Sequence, residues 1–110
     1  MATAPHSTPA TTRRSVEAAT QQMAVAEIAD GMYLVDNGKR GDDHAQYTVE
    51  PDLPACTCGD WEYRSEQLGE DGCKHVRRVR MERGEIDIAP LRQTDLRLDP
   101  LLLEVLEDTA

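Results

Sequence analysis

Hydrophobic residues recur along the first part of this chain with the period of an α-helix. Ser15 is a favourable N-cap, and Asp30-Gly31 is a typical helix stop. Between them, the apolar residues at helical spacing are Val16, Ala19, Met23 and Ala26. We therefore predict an amphipathic N-terminal helix over residues 15–30. Residues 1–14, which are rich in Thr, Ala and Pro, are predicted to be a disordered tail.

Two short segments further along favour β-strands. Residues 32–35 read Met-Tyr-Leu-Val, and residues 46–49 read Gln-Tyr-Thr-Val. Turn-forming residues, including Asn37-Gly38, lie between them, and Pro51 and Pro54 end the second segment. This pattern predicts an antiparallel hairpin.

The second half of the chain is predicted to contain two helices. One opens at His75 and closes at Gly84, and a shorter one, Leu101–Leu106, follows the strong start signal Asp99-Pro100. The short leucine-rich helix either covers the back of the hairpin or offers a docking face to another protein. Short extended segments are expected where apolar and polar residues alternate, over residues 86–88 and 96–98.

Cysteine and histidine residues form the most specific chemical pattern in the chain. The three cysteines and one histidine are arranged as a C-x-C pair and a C-x-H pair, namely Cys56, Cys58, Cys73 and His75. Three thiolates and an imidazole complete the tetrahedral ligand set of zinc, whereas magnesium and calcium prefer oxygen. Because no ligand position is left for water or substrate, the set predicts one structural Zn²⁺ ion.

The spacing also predicts how the ligands are held. Cys56 and Cys58 point the same way in an extended chain, and Gly59 lets the backbone turn after them. Cys73 is expected in the approach loop and His75 in the first turn of the next helix, since two residues in mid-helix lie about 200° apart. Buried apolar cysteines or redox thiols are the alternatives, and the odd cysteine count argues against a disulfide framework.

The metal pattern resembles a known family. C-x-C followed by Cys73-Lys74-His75-Val76 resembles the SWIM-type zinc finger, whose hallmark is C-x-C-x(n)-C-x-H. The flanking segments Tyr47-Thr48-Val49 and Gly59-Asp60-Trp61 are similar as well, so the resemblance spans residues 32–84. It implies a ββα zinc fold that binds DNA or proteins, and it does not imply an enzyme.

These observations predict an α+β protein built around a small zinc-stabilised ββα finger with flanking helices. The expected organisation is a tail over residues 1–14, a helix over 15–30, the finger over 31–85 and a C-terminal extension over 86–110. No nucleophile, phosphate-loop or carboxylate–histidine motif accompanies the zinc set. We therefore expect a protein that is not an enzyme and has no small-molecule substrate.

Two features are candidates for partner contact. Trp61 either fills the core beside the zinc ion or is exposed to a base or protein partner. The helix after Cys73 carries basic residues that stand against Glu82 alone: Lys74, Arg77, Arg78, Arg80 and Arg83. These side chains either contact nucleic-acid phosphates or neutralise the zinc–thiolate centre and nearby acids.

Charge and composition bound the setting. The formal net charge is −9, from 21 acidic and 12 basic side chains, and the chain has no Phe. An acidic surface with arginine preferred to lysine is typical of a halophilic organism, and we expect a halophilic archaeon. Free thiols favour a reducing, cytoplasmic location, and we expect no targeting segment and no membrane partner.

Two binding functions are open. The first is a small accessory or regulatory protein that binds DNA, which leads only through the family resemblance. The second is an adaptor that recruits a DNA-acting or regulatory protein, for example in recombination or transcription. High salt weakens phosphate contacts steeply, and a net charge of −9 opposes them. A redox-sensing zinc switch is a third, less favoured hypothesis.

Overall fold

The computed structural model describes residues 8–9, 13–37, 46–59 and 71–108, which form a small α+β structure. The strands of the described part are β1 (Thr8–Pro9), β2 (Ala24–Ala29), β3 (Met32–Asp36), β4 (Gln46–Glu50), β5 (Ala55–Cys56) and β6 (Ile86–Asp87). Its helices are α1 (Arg13–Thr20), α2 (Lys74–Glu82), α3 (Ala89–Arg92) and α4 (Pro100–Asp108). None of these helices is long and apolar enough to cross a membrane.

An antiparallel sheet with the strand order β2-β3-β4-β5 forms one layer. Its centre is the predicted hairpin, in which Val35 of β3 lies opposite Tyr47 of β4, so the strand prediction is confirmed. Two further strands flank this pair. One of them, β5, pairs Cys56 with Val49 and thereby joins the first predicted metal ligand to the sheet.

The N-terminal helix is shorter than predicted. It ends at Thr20, and Ala24–Ala29 form β2, so the predicted helix over residues 15–30 is wrong beyond Thr20. The apolar spacing that suggested a longer helix also fits a strand, because Val25 pairs with Val35 of β3 and packs against the core. Pairing with the next strand, across the turn at Asp30-Gly31, decides between the two periods.

The predicted tail is also partly structured. Thr8–Pro9 pair in parallel with Ile86–Asp87, and Arg13 and Arg14 already belong to α1. The remaining residues of that segment, 1–7 and 10–12, lie outside the described residues.

Helix α2 is the element that joins two hydrophobic clusters. Val76 and Val79 enter the first cluster, to which the sheet contributes Val35 and Val49 and the residue before β2 contributes Met23. Met81 projects from another face of the helix, because residues two apart lie about 200° around its axis. It enters the second cluster with Ala18, Ala19, Ile86, Ile88, Leu91 and Leu102.

The C-terminal helix α4 begins at Pro100, as the Asp99-Pro100 signal predicted. Leu102 is fully buried in the second cluster, so α4 covers α1 and α2. The alternative that it covers the back of the hairpin is therefore wrong. Ile86–Asp87 are extended as predicted, whereas the described residues 96–98 form no strand.

Candidate metal centre

Four side chains converge at the end of the first cluster. The sulfur atoms of Cys56, Cys58 and Cys73 and a ring nitrogen of His75 all lie within 4.8 Å of one another. All four residues are buried, with exposures between 1 and 5%. The predicted pairs, separated by fourteen residues of sequence, therefore meet as a single group.

Strand β5 and the residues just after it position the first pair. Cys56 is held in the ladder opposite Val49. The next residue, Thr57, bonds to Thr48 twice: its amide donates to the carbonyl at 3.2 Å, and its hydroxyl accepts from the amide at 3.0 Å. These two bonds anchor the backbone between the ligands and aim Cys58 at the same point as Cys56.

The start of α2 positions the second pair. Cys73 is the N-cap residue with an extended backbone, φ −76° and ψ 177°, and His75 is the second helical residue. This agrees with the expectation of a cysteine in the approach loop and a histidine in the first turn. Gly72 precedes them with a φ of +81°, and an added Cβ would lie only 3.0 Å from Val76 and 3.2 Å from Pro54. A glycine is therefore required for the chain to approach the helix so closely.

The imidazole of His75 has a defined orientation. Its Nδ1 atom lies 3.8 Å from the sulfur of Cys56 and 3.8 Å from that of Cys73. The ring of Tyr47 stacks on the imidazole with centroids 4.1 Å apart. On the far side, Nε2 lies 3.4 Å from the side-chain nitrogen of Asn37. The histidine therefore presents Nδ1 to the thiols and Nε2 to the amide.

Two of the three thiols, those of Cys56 and Cys73, have a raised pKa in this arrangement. Hydrogen bonding with Cys58 and then Cys73, followed by burial, raises the pKa of Cys56 far above its ordinary value. For Cys73, the bond with Cys56 lowers the pKa, but the bond with Cys58 and burial raise it to about 11. Three thiolates this close would repel one another, so a cation is needed to hold them in the charged form.

The donor set fits a soft or borderline divalent ion. Metal–sulfur bonds of about 2.3 Å place the ligand atoms of a tetrahedron about 3.8 Å apart, close to the sulfur–nitrogen distances found here. The widest separation, 4.8 Å, exceeds that value by only about 1 Å. Among the described residues, no carboxylate belongs to this group of ligand atoms. Binding of calcium or magnesium, which prefer oxygen ligands, is therefore disfavoured. The four residues can hold one metal ion.

Two of the predicted contact arginines are buried inside the protein. Arg77 is 6% exposed, and its guanidinium donates to the Gly72 carbonyl at 2.7 Å and to the Ser15 hydroxyl at 3.0 Å. Burial lowers the pKa of this arginine from its ordinary value. Arg78 is fully buried and pairs with Asp99 and Glu82. The expectation that these two side chains face a partner on the surface is wrong.

The other basic side chains of α2 lie nearer the surface. Arg80 pairs with Asp71 and Glu85, at 2.9 and 3.1 Å. Arg83 pairs with Glu85 and, more distantly, with Asp52. Lys74 is half-buried in the first turn of the helix. Arg77 also lies 3.9 Å from Asp71, so each of the four arginines of α2 and its C-cap has an acidic partner within the protein, as the alternative of internal charge compensation expects.

Some residues around the centre were not identified from the sequence. Asn37 looked like a turn residue because Gly38 follows it, yet it is 5% exposed and faces His75. Tyr47 was recognised as part of a strand and of a segment that resembles the family, but not as a neighbour of the histidine, on which its ring stacks. The sequence did offer one signal: both residues flank the predicted hairpin turn, and the strand after that turn leads to the first ligand pair. Trp61 lies outside the described residues, as does the rest of 60–70.

Comparisons of the chain with protein-family models, with curated proteins and with solved structures give no match.

Proposed function

We propose that the chain binds one structural Zn²⁺ ion through Cys56, Cys58, Cys73 and His75 as a SWIM-type finger. The observation that carries this proposal is the convergence of four buried sulfur and nitrogen donors within 4.8 Å. Zinc is the metal that such a Cys₃His set favours, and a closed set of four leaves no open position for a substrate. The proposed ββα unit consists of β3, β4 and α2, with the ion joining the hairpin side to the helix.

Zinc would supply much of the stability of this part of the chain. The first cluster is small, and three of its eight buried members are the ligand cysteines themselves. Structural zinc contributes on the order of 10–16 kcal/mol in zinc-finger peptides, which is comparable to the stability of a whole domain. The ion would therefore act as part of the core.

We propose further that the protein is a non-enzymatic, cytoplasmic interaction module with a protein partner. The charge pairing of the α2 arginines and the net charge of −9 favour this adaptor function over DNA binding. Exposed apolar side chains support it as well, above all Leu53 at 63% and Ile28 at 52%. DNA binding, suggested by the family resemblance and the partly exposed Arg80 and Arg83, is the second candidate. The acidic composition supports a protein that functions at high salt concentration, as in a halophilic organism.

Metal analysis of the purified protein tests the proposal. We expect one zinc per chain, and we expect Cys58→Ala and His75→Ala to lose both the metal and the fold of the first cluster. His44→Ala is the matched control and should retain full zinc content, because this histidine lies outside the C-x-C and C-x-H pairs. A well-folded protein recovered after chelation, without metal, would refute the structural role of zinc.

A further inference from the structure

The two ring nitrogens of His75 face different neighbours, and this determines which nitrogen can bind a metal ion and which carries the proton. Since Nδ1 faces the sulfur atoms of Cys56 and Cys73 at 3.8 Å, this nitrogen is the one that can bond to an ion. A neutral imidazole with a metal on Nδ1 carries its proton on Nε2. That N–H then requires an acceptor, because His75 is only 3% exposed and water has little access.

Asn37 is the side chain within reach of Nε2. Its amide nitrogen lies 3.4 Å away, and the residue is 5% exposed. The amide oxygen, Oδ1, has no hydrogen-bond donor among the described residues. With its NH₂ group turned towards Nε2, the amide suits a histidine protonated on Nδ1. It does not suit one protonated on Nε2, because two donors would then face each other.

We propose that Asn37 is the positioning residue of the metal centre, whose amide turns to accept the Nε2–H of His75 through Oδ1. A rotation of about 180° about the last side-chain bond exchanges the oxygen and nitrogen with little change in shape. It pairs the buried oxygen and fixes the ring with Nδ1 towards the ion. The proposal rests on the proposed zinc function and deepens it.

Gln21, the other hydrogen-bond partner of the Asn37 amide, can adjust to this rotation. Asn37 also donates to the side-chain oxygen of Gln21 at 3.2 Å. Gln21 is half-buried, so its own amide can turn in the same way and donate to Asn37 Oδ1. Tyr47 stacks on the imidazole face, which leaves the ring edge to Asn37. Tyr47 therefore fixes the tilt of the imidazole ring, and Asn37 fixes the direction in which Nε2 points.

The magnitude of the effect follows from other metal centres. Removing the outer hydrogen-bond partner of a metal-bound histidine lowers affinity by about 10- to 100-fold. Asn37→Leu removes the acceptor at similar volume, and we expect zinc affinity to fall by about that factor. Asn37→Asp restores an acceptor and should bind more tightly than Asn37→Leu. Gln46→Leu, which removes an exposed amide on the neighbouring strand, should leave affinity unchanged.

The experiment combines chelator competition with NMR of ¹⁵N-labelled histidine in the zinc-loaded protein. In the unmodified protein, His75 should show a metal-bound Nδ1 and a slowly exchanging Nε2–H, and this measurement needs no variant to fold. In Asn37→Leu, the Nε2–H should exchange faster. A metal on Nε2, or Asn37→Leu affinity equal to that of the unmodified protein, would overturn the inference. Absence of zinc from the unmodified protein would instead reject the proposed function.

Discussion

Replacing Arg78 by methionine should destabilise the protein without removing its metal ligands. The guanidinium is fully buried and donates to three carbonyl groups, those of Ala18, Gln21 and Met23, at 2.9 to 3.1 Å. It also pairs with the carboxylates of Glu82 and Asp99. Arg78→Met leaves all five acceptors without this donor, although methionine fills a similar volume.

The buried ion pair with Asp99 dominates the expected loss. Asp99 is 3% exposed, so its charge would stay buried, and among the described residues the backbone amides of Met23 and Leu101 would be the donors left to it. Breaking such a pair from one side costs about 3–5 kcal/mol. For a chain of this size, that lowers Tm by about 12–20 °C, at about 4 °C per kcal/mol.

Burial also raises the pKa of Glu82, an effect that the hydrogen bond and charge of Arg78 partly offset. Loss of Arg78 should raise the pKa of Glu82 further. A carboxyl group whose pKa is raised on folding stabilises the folded state when it is protonated. The variant should therefore lose additional stability as pH rises above the ordinary glutamate value of 4.5 and through the raised pKa.

Thermal unfolding in the zinc-loaded state, at a constant high salt concentration, measures the effect. Arg97→Met, at an exposed position, is the matched control and should change stability by no more than about 0.5 kcal/mol. Zinc content measured well below Tm should stay at one ion. Adding Asp99→Asn to Arg78→Met should cost less than the sum of the two single changes. An Arg78→Met protein whose Tm falls by less than 4 °C would refute the assigned role.

Two further predictions concern Gly72 and the surface arginines. Gly72→Ala should destabilise the protein by about 1–3 kcal/mol more than Gly31→Ala, because both positions have positive φ but only Gly72 lacks room for a Cβ; equal unfolding midpoints would contradict this. If a protein is the partner, replacing both Arg80 and Arg83 by glutamine should leave the weak DNA affinity, measured over a salt series, unchanged. A salt slope that falls by about two units, one for each lost phosphate contact, would instead favour DNA binding.

Local sequence signals predicted the elements that depend on neighbours in the chain. The hairpin, the ligand pairs and the start of α4 at Pro100 all follow from turn, spacing or cap residues close in sequence. Strand β2 was missed because the residue pattern around Met23 and Ala26 fits a helix as well as a strand. Its pairing with β3 depends on contacts formed only after the chain turns at Gly31.

The contacts around the metal centre were harder to predict because they join residues that are far apart in the sequence. Arg78 looked like a surface charge in a basic helix, and its burial depends on Asp99, 21 residues away, and on Met23, 55 residues away. Asn37 meets His75 across 38 residues of sequence. The hydrogen-bonding chemistry of the side chains does not identify such pairs until the fold has brought them together.

The irregularity in β2 bears on self-association. Within the described residues, β2 lies at the edge of its sheet and pairs with β3 only. The register shifts between Glu27 and Ala29, which leaves Ile28 unpaired in the ladder and 52% exposed. A regular apolar edge strand can pair with a strand of another molecule. A bulge, together with a charged side chain such as that of Glu27, interrupts the regular hydrogen-bonding pattern that this pairing needs. The bulge at Ile28 thus protects this edge against aggregation into extended intermolecular sheets.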